Sequence, residues 1–158
     1  MKQTQPLEVG IPVIDFDRQY AFYTEVLSCK EDRRADIPAS LTQGLTAGAN
    51  GYLNVWLKTP GGEVIKLVSP PDPPALNPAP PQLSERTGIG YLTFYCSDLD
   101  ATLAAAEERG AVLRSDRGLI AADQPLRLCF FADPEGNIIE LVEVDPEVNI
   151  IELVEVDT

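Results

Sequence analysis

The chain has 158 residues, 44% apolar and 23% charged, which suits one globular domain or two small fused modules and excludes a disordered chain. Its net charge of −13 argues against nucleic acid and anionic membrane as partners, and the absence of histidine rules out a histidine-based catalytic triad. Cys29, Cys96 and Cys129 are far apart and odd in number, so neither a disulfide framework nor a zinc knuckle is expected.

The start, "MKQTQPLEV", has no apolar signal-peptide core, and no apolar run is long enough to span a bilayer, so a cytoplasmic protein is expected. "PLEVGIPVI" then reads as a strand. "DFDRQYAFYTEVL" reads as a helix, with Asp15 or Asp17 as N-cap and Tyr20, Phe22, Tyr23, Val26 and Leu27 on its apolar side. The stretch from Ser28 to Asn50 reads as loop, with one short strand around Ile37 to Leu45. "GYLNVWLKT", "PGG" and "EVIKLVS" form a hairpin. Seven prolines between Pro70 and Pro81 mark extended linker. After it "GIGYLTFYCS" is a strand, and "DLDATLAAAEERG" is a helix capped by Asp98 and ended by Gly110. "RLCFFAD", "PEG" and "NIIELVEVD" form a second hairpin.

The two halves repeat one pattern. "EVGIPVIDFD" from Glu8 matches "YLTFYCSDLD" from Tyr91, and "TPGGEVIKLV" matches "DPEGNIIELV". Such duplication implies two equivalent modules. The expected organisation is a first module over 1–69, a proline-rich linker over 70–87, a second module over 88–145 and a tail over 146–158. The tail repeats "NIIELVEVD" from Asn149 to Asp157, but is entered through "DPEVN" rather than "DPEGN". Val148 resists the positive φ that Gly136 permits, so the first copy is assigned to the fold. The second copy either pairs with a sheet edge or a neighbouring molecule, or is a bare duplication.

Strand alternation puts Glu8, Gly10 and Pro12 on one face, as it does Val64, Lys66 and Val68. Tyr91, Thr93 and Tyr95 share a face in the second module, and so do Ile138, Glu140 and Val142. One of Phe130 and Phe131 faces away from the core, and the hairpin match sets Phe130 equivalent to Trp56.

With "VGIPVIDFDRQYAFYTEVL", "PGGEVIKLVSP", "GYLTFYCSDLDATLAAAEERGA" and "FFADPEGNIIELVE" in this order, the chain resembles the vicinal oxygen chelate superfamily of glyoxalases, bleomycin-resistance proteins and extradiol dioxygenases. The resemblance implies an α+β fold of two pseudo-symmetric βαβββ modules forming a curved mixed sheet around a cleft, commonly in a homodimer to which the tail can add strand pairing. Its metal enzymes draw one ligand from each of four strands, and those positions here are Glu8, Lys66, Tyr91 and Glu140. Only Glu140 matches the usual ligand. Lysine is a donor-only cation, and tyrosine must first lose a proton. The resemblance therefore implies a degenerate metal site, with neither metal nor cofactor expected. It argues against glyoxalase I activity, iron-dependent ring cleavage and metal-dependent fosfomycin opening.

Glu8, Lys66, Tyr91 and Glu140 remain candidates for metal-free proton transfer on a small carbonyl-bearing molecule, as in a lyase or isomerase. Trp56, Tyr95, Arg127 and Phe130 are candidates for binding the substrate. Arg33, Arg34, Arg114, Arg117 and Arg127 could each read a substrate carboxylate; only Arg127 sits in a well-defined strand, and surface placement is the default for all five. An inert ion network, or a protein that binds a small molecule without transforming it, stays open as the alternative.

Overall fold

The computed structural model describes residues 2–45, 48, 50–85, 87–120 and 126–144. The repeated copy of "NIIELVEVD" lies outside them. The chain divides into two compact units, one up to Asn77 and one from Pro78. Among the described residues no helix is long and apolar enough to cross a membrane.

In the first unit, β1 (Glu8–Pro12) leads through Asp15 into α1 (Phe16–Ala21), which continues as one wide π-helical stretch, Phe22–Val26. The Asp15 carboxylate caps the helix by accepting from the Arg18 N–H. Then come β2 (Lys30–Ile37), the short α2 (Ala39–Thr42), and the hairpin of β3 (Tyr52–Lys58) and β4 (Val64–Ser69). The sheet order is β1-β4-β3-β2, with β1 and β4 parallel and the other pairs antiparallel.

The stretch from Ser28 to Asn50 departs from expectation. The strand runs from Lys30 to Ile37, and the residues beyond Pro38 turn into α2 and a 3-10 turn, Gln43–Leu45. The reason is the strand's position at the sheet edge. "KEDRRADI" buries no residue, so it carries none of the apolar alternation by which a strand is recognised.

The second unit repeats this order. β5 (Leu92–Cys96) leads through Asp98 into α3 (Leu99–Glu108), and the hairpin of β8 (Leu126–Ala132) and β9 (Ile138–Val144) closes the unit. The place of β2 is taken by two short pieces, β6 (Val112–Leu113) and β7 (Leu119–Ile120), both paired with β8. The order β5-β9-β8-β6 mirrors the first sheet. Asp98 caps α3 by accepting from Ala101 N–H. At the other end Gly110, at φ 90°, lets Gly110 N–H bond Glu107 C=O and Ala111 N–H bond Ala106 C=O, the paired bonds of a Schellman stop.

Each sheet has one dry face. Ile11, Val13, Val55, Leu57, Ile65 and Leu67 are buried on the face that also receives Phe22 and Tyr23. In the second unit Cys129, Phe131, Ile139 and Leu141 are buried with Leu99 and Leu103 of α3. The opposite faces carry the polar residues.

Both hairpin turns need a glycine at positive φ, Gly62 at 102° and Gly136 at 90°. Asp133 organises the second turn. It is 2% exposed, and its carboxylate accepts from the N–H groups of Glu135 and Asn137 and from the Asn137 side-chain amide. Removing it strands three donors at once. Asp133→Ala is expected to cost about 3 kcal/mol in urea unfolding. A loss under about 1 kcal/mol would show that solvent replaces those bonds freely.

Candidate functional site

On the open face of the first unit, Gly10, Lys66, Trp56 and Arg33 stand side by side across the four strands. Lys66 Nζ lies 3.0 Å from Glu8 Oε2, one pleat away on β1, and each side chain is about a third exposed. The Lys66 ammonium beside Glu8, first through its hydrogen bond and then through its charge, holds that carboxyl below its ordinary range against the opposing effect of desolvation. The Trp56 indole N–H and the Arg33 charge add smaller effects of the same sign. Among the described residues the Trp56 N–H nevertheless has no partner in good hydrogen-bond geometry, nor does the buried Oδ1 of Asn54 on the same strand face.

Arg33 owes its position to a β-bulge. The pairing shifts between Glu31 and Arg33, so that Arg33 rather than Asp32 is paired with Trp56. Its guanidinium carbon sits 4.2 Å from the centre of the Trp56 ring. The next residue, Arg34, turns to the helix side, where it pairs with Glu31 and stacks on Tyr20.

On the open face of the second unit the equivalent row is Thr93, Glu140 and Phe130. Glu140 Oε2 accepts a 2.6 Å hydrogen bond from the Thr93 hydroxyl. Among the described residues the Glu140 carboxylate makes no ion pair. Tyr91 meets Phe130 edge to face, with centroids 5.3 Å apart and planes at 86°. Tyr95 shares the face and is 67% exposed, whereas Phe131 is the buried partner of the Phe130/Phe131 pair.

The structure thus brings Glu8 to Lys66, and sets Tyr91 against the cross-strand partner of Glu140. It does not bring Arg127 to Phe130. They are three positions apart on one strand, so Arg127 points to the helix side, where it bonds Glu143 at 2.9 Å and Asp100 at 3.0 Å. Its guanidinium ties α3 to the sheet. Two residues outside the main candidate set, Thr93 and Arg33, join these faces. Thr93 was legible through its shared face with Tyr91, but the position of Arg33 hangs on a bulge with no sequence signal.

In the first unit the residues at the ligand positions, Glu8 and Lys66, do not suit a divalent metal. Lys66 supplies a cation where a ligand is needed and engages Glu8 itself. The described residues contain no group of three His, Cys, Asp or Glu side chains able to hold a metal ion.

The family model of the glyoxalase/bleomycin resistance protein/dioxygenase superfamily matches residues 5–141. A glyoxalase family protein from Bacillus cereus is similar in structure at TM-score 0.75 and 22% identity, covering 90% of this chain and 95% of the other. Glyoxalase I from Zea mays aligns at TM-score 0.66 and 20% identity over 89% of this chain and 45% of its own. A genomically encoded fosfomycin resistance protein from Listeria monocytogenes aligns at TM-score 0.59 and 14% identity, over 92% and 98%. No curated protein matches the sequence.

One consequence concerns pH. Glu8 has a lowered carboxyl pKa in the fold, so its pairing stabilises above about pH 4.3, the unfolded value, and that stability is lost as pH falls through the lowered folded value. Because the pair is partly exposed, Glu8→Gln is expected to cost less than about 1 kcal/mol at pH 7. The gap to wild type in urea unfolding closes as the pH falls through that lowered folded value. A gap of constant size would assign the effect to packing instead. With the strands, faces and motifs in this order, the chain belongs to the glyoxalase/bleomycin resistance protein/dioxygenase superfamily.

Proposed function

We propose that the protein is a metal-independent lyase or isomerase that moves a proton on a small carbonyl-bearing molecule, with Glu140 as the base. One observation carries this reading: among the described residues Glu140 is held by the neutral Thr93 hydroxyl, with no ion pair, whereas Glu8 is tied to a lysine. A carboxylate in an ion pair is a weakened base, and one oriented by a single hydroxyl keeps a free oxygen for a substrate C–H. Thr93 fixes the carboxylate's rotamer. The Tyr91 hydroxyl is the candidate donor to the oxygen of the developing enolate, with its ring steadied by Phe130. The Phe130 and Tyr95 rings offer apolar surface to the rest of the molecule. Lys66 and Glu8 neutralise each other and serve the first sheet's polar face.

The aromatic rings around Glu140 also favour a second reading, a bleomycin-resistance-like protein that sequesters a small cationic molecule. A homodimer in a reducing cytoplasm completes either proposal. The compartment is supported by three cysteines without disulfides, of which Cys29 is pushed up to about 12 by burial.

The readings separate by solvent-proton exchange. With carbonyl-bearing acids in deuterated buffer containing a chelator, NMR should show enzyme-dependent exchange at the carbon next to the carbonyl. Glu140→Gln should lower its rate by about 10²- to 10⁴-fold without changing the unfolding midpoint. Exchange that survives in Glu140→Gln, or that needs a stoichiometric divalent metal, would sink the catalytic reading. Saturable binding of cationic aromatics without exchange, weakened by Phe130→Ala, would favour the second.

A further inference from the structure

The open face of the first unit runs against the charge of the whole. The chain has 12 lysines and arginines against 25 aspartates and glutamates. Yet Lys30, Arg33, Lys58 and Lys66 all lie on this one sheet face, where the carboxylates are Glu8 and, at the bulge, Asp32. Lys66 is neutralised by Glu8. Lys30, Arg33 and Lys58 make no ion pair among the described residues, and all three are exposed.

Their arrangement is unfavourable on its own. Lys30 and Lys58 are direct cross-strand partners, a placement in which like charges repel. The neighbouring pair is Arg33 and Trp56, where the bulge brings in a third cation in register with the indole. Exchanging the bulge's two residues in register would have set Asp32 there and relieved the repulsion. An anion bound between the three groups relieves it as well.

We infer that Lys30, Lys58 and Arg33 form a binding site for a compact dianion, a phosphate ester or a dicarboxylate, on the first sheet. Charge complementarity names the occupant. Two ammonium groups supply point charges and rotatable donors, while the guanidinium, held over the Trp56 ring, supplies paired N–H donors suited to two oxygens. The Trp56 ring beside them offers a platform for the ligand's planar part. The site stands independently of the proton-transfer reading, because none of its three cations belongs to that chemistry.

Trp56 is the only tryptophan, so its fluorescence reports on this face without labelling. Inorganic phosphate and malonate are titrated separately into the full chain, with sodium chloride at matched ionic strength as the control. Saturable change with phosphate or with malonate, absent with chloride, is expected. The anion that saturates at lower concentration identifies the ligand as phosphate ester or dicarboxylate. Arg33→Gln and Lys58→Gln should each raise the dissociation constant about tenfold. Since Arg33→Gln also alters the indole's surroundings, calorimetric titration checks its affinity without the fluorophore. Lys30→Gln should weaken binding while leaving the urea midpoint equal or higher, because it removes a like-charge pair. Non-saturating change that chloride reproduces, or saturation of unaltered strength in Lys30→Gln and Lys58→Gln, overturns the inference.

Discussion

Adjacent residues of a β-strand point to opposite faces, and in each unit apolar helical residues pack on only one of them. Phe22 and Tyr23, both wholly buried, close the first sheet's apolar face over Val55, Leu57, Ile65 and Leu67. Leu99 and Leu103 do the same over Phe131, Ile139 and Leu141. Burial at the odd positions of β4 fixes the even positions as the open face, and so places Lys66 there. A one-residue slip would send Lys66 into the core and Leu67 to the surface. The core therefore enforces the register that sets the polar face, although no core residue touches it.

The two units share this frame and differ in what they mount on it. Gly10, Lys66 and Trp56 occupy the row that Thr93, Glu140 and Phe130 occupy in the second unit. The large aromatic ring is kept at the same place in both hairpins. The central charge is reversed, and the residue beside it changes from glycine to a hydroxyl donor. The outer strand differs most. In the first unit it is one continuous edge with a bulge, and in the second it is split into β6 and β7. An edge strand is bonded on one side only, so its path can change without breaking the central pairs.

This difference between centre and edge also explains what was legible in the sequence. The hairpins, the Asp98 cap, the Gly110 stop and the glycine turns each carry a residue type that the local geometry demands. They read directly. So does the shared face of Tyr91 and Thr93, because side chains alternate along an extended chain. β2 was misplaced because an edge strand with no buried residue has no apolar rhythm, and "KEDRRADI" looks like loop. Arg127 stood out among the arginines because it sits in a well-defined strand, and its odd separation from Phe130 sends the two side chains to opposite faces. Asp100 and Glu143, which hold it on the helix side, come from elements that only the fold unites.

The Lys66–Glu8 pair shows how such a face can keep a carboxylate without a metal. A divalent cation among carboxylates and an ammonium beside a single carboxylate meet the same electrostatic need, a positive charge close enough to offset the negative one. The ammonium meets it from within the chain, at 3.0 Å, on a side chain whose backbone is fixed between β1 and β3. That arrangement lowers the basicity of Glu8. Glu140 instead accepts from a neutral hydroxyl, which orients a carboxylate without cancelling its charge. Two glutamates on equivalent sheets thus stand in different electrostatic settings, each set by one neighbour. The distinction rests on which residue lies across a single strand pairing, not on any difference in overall fold.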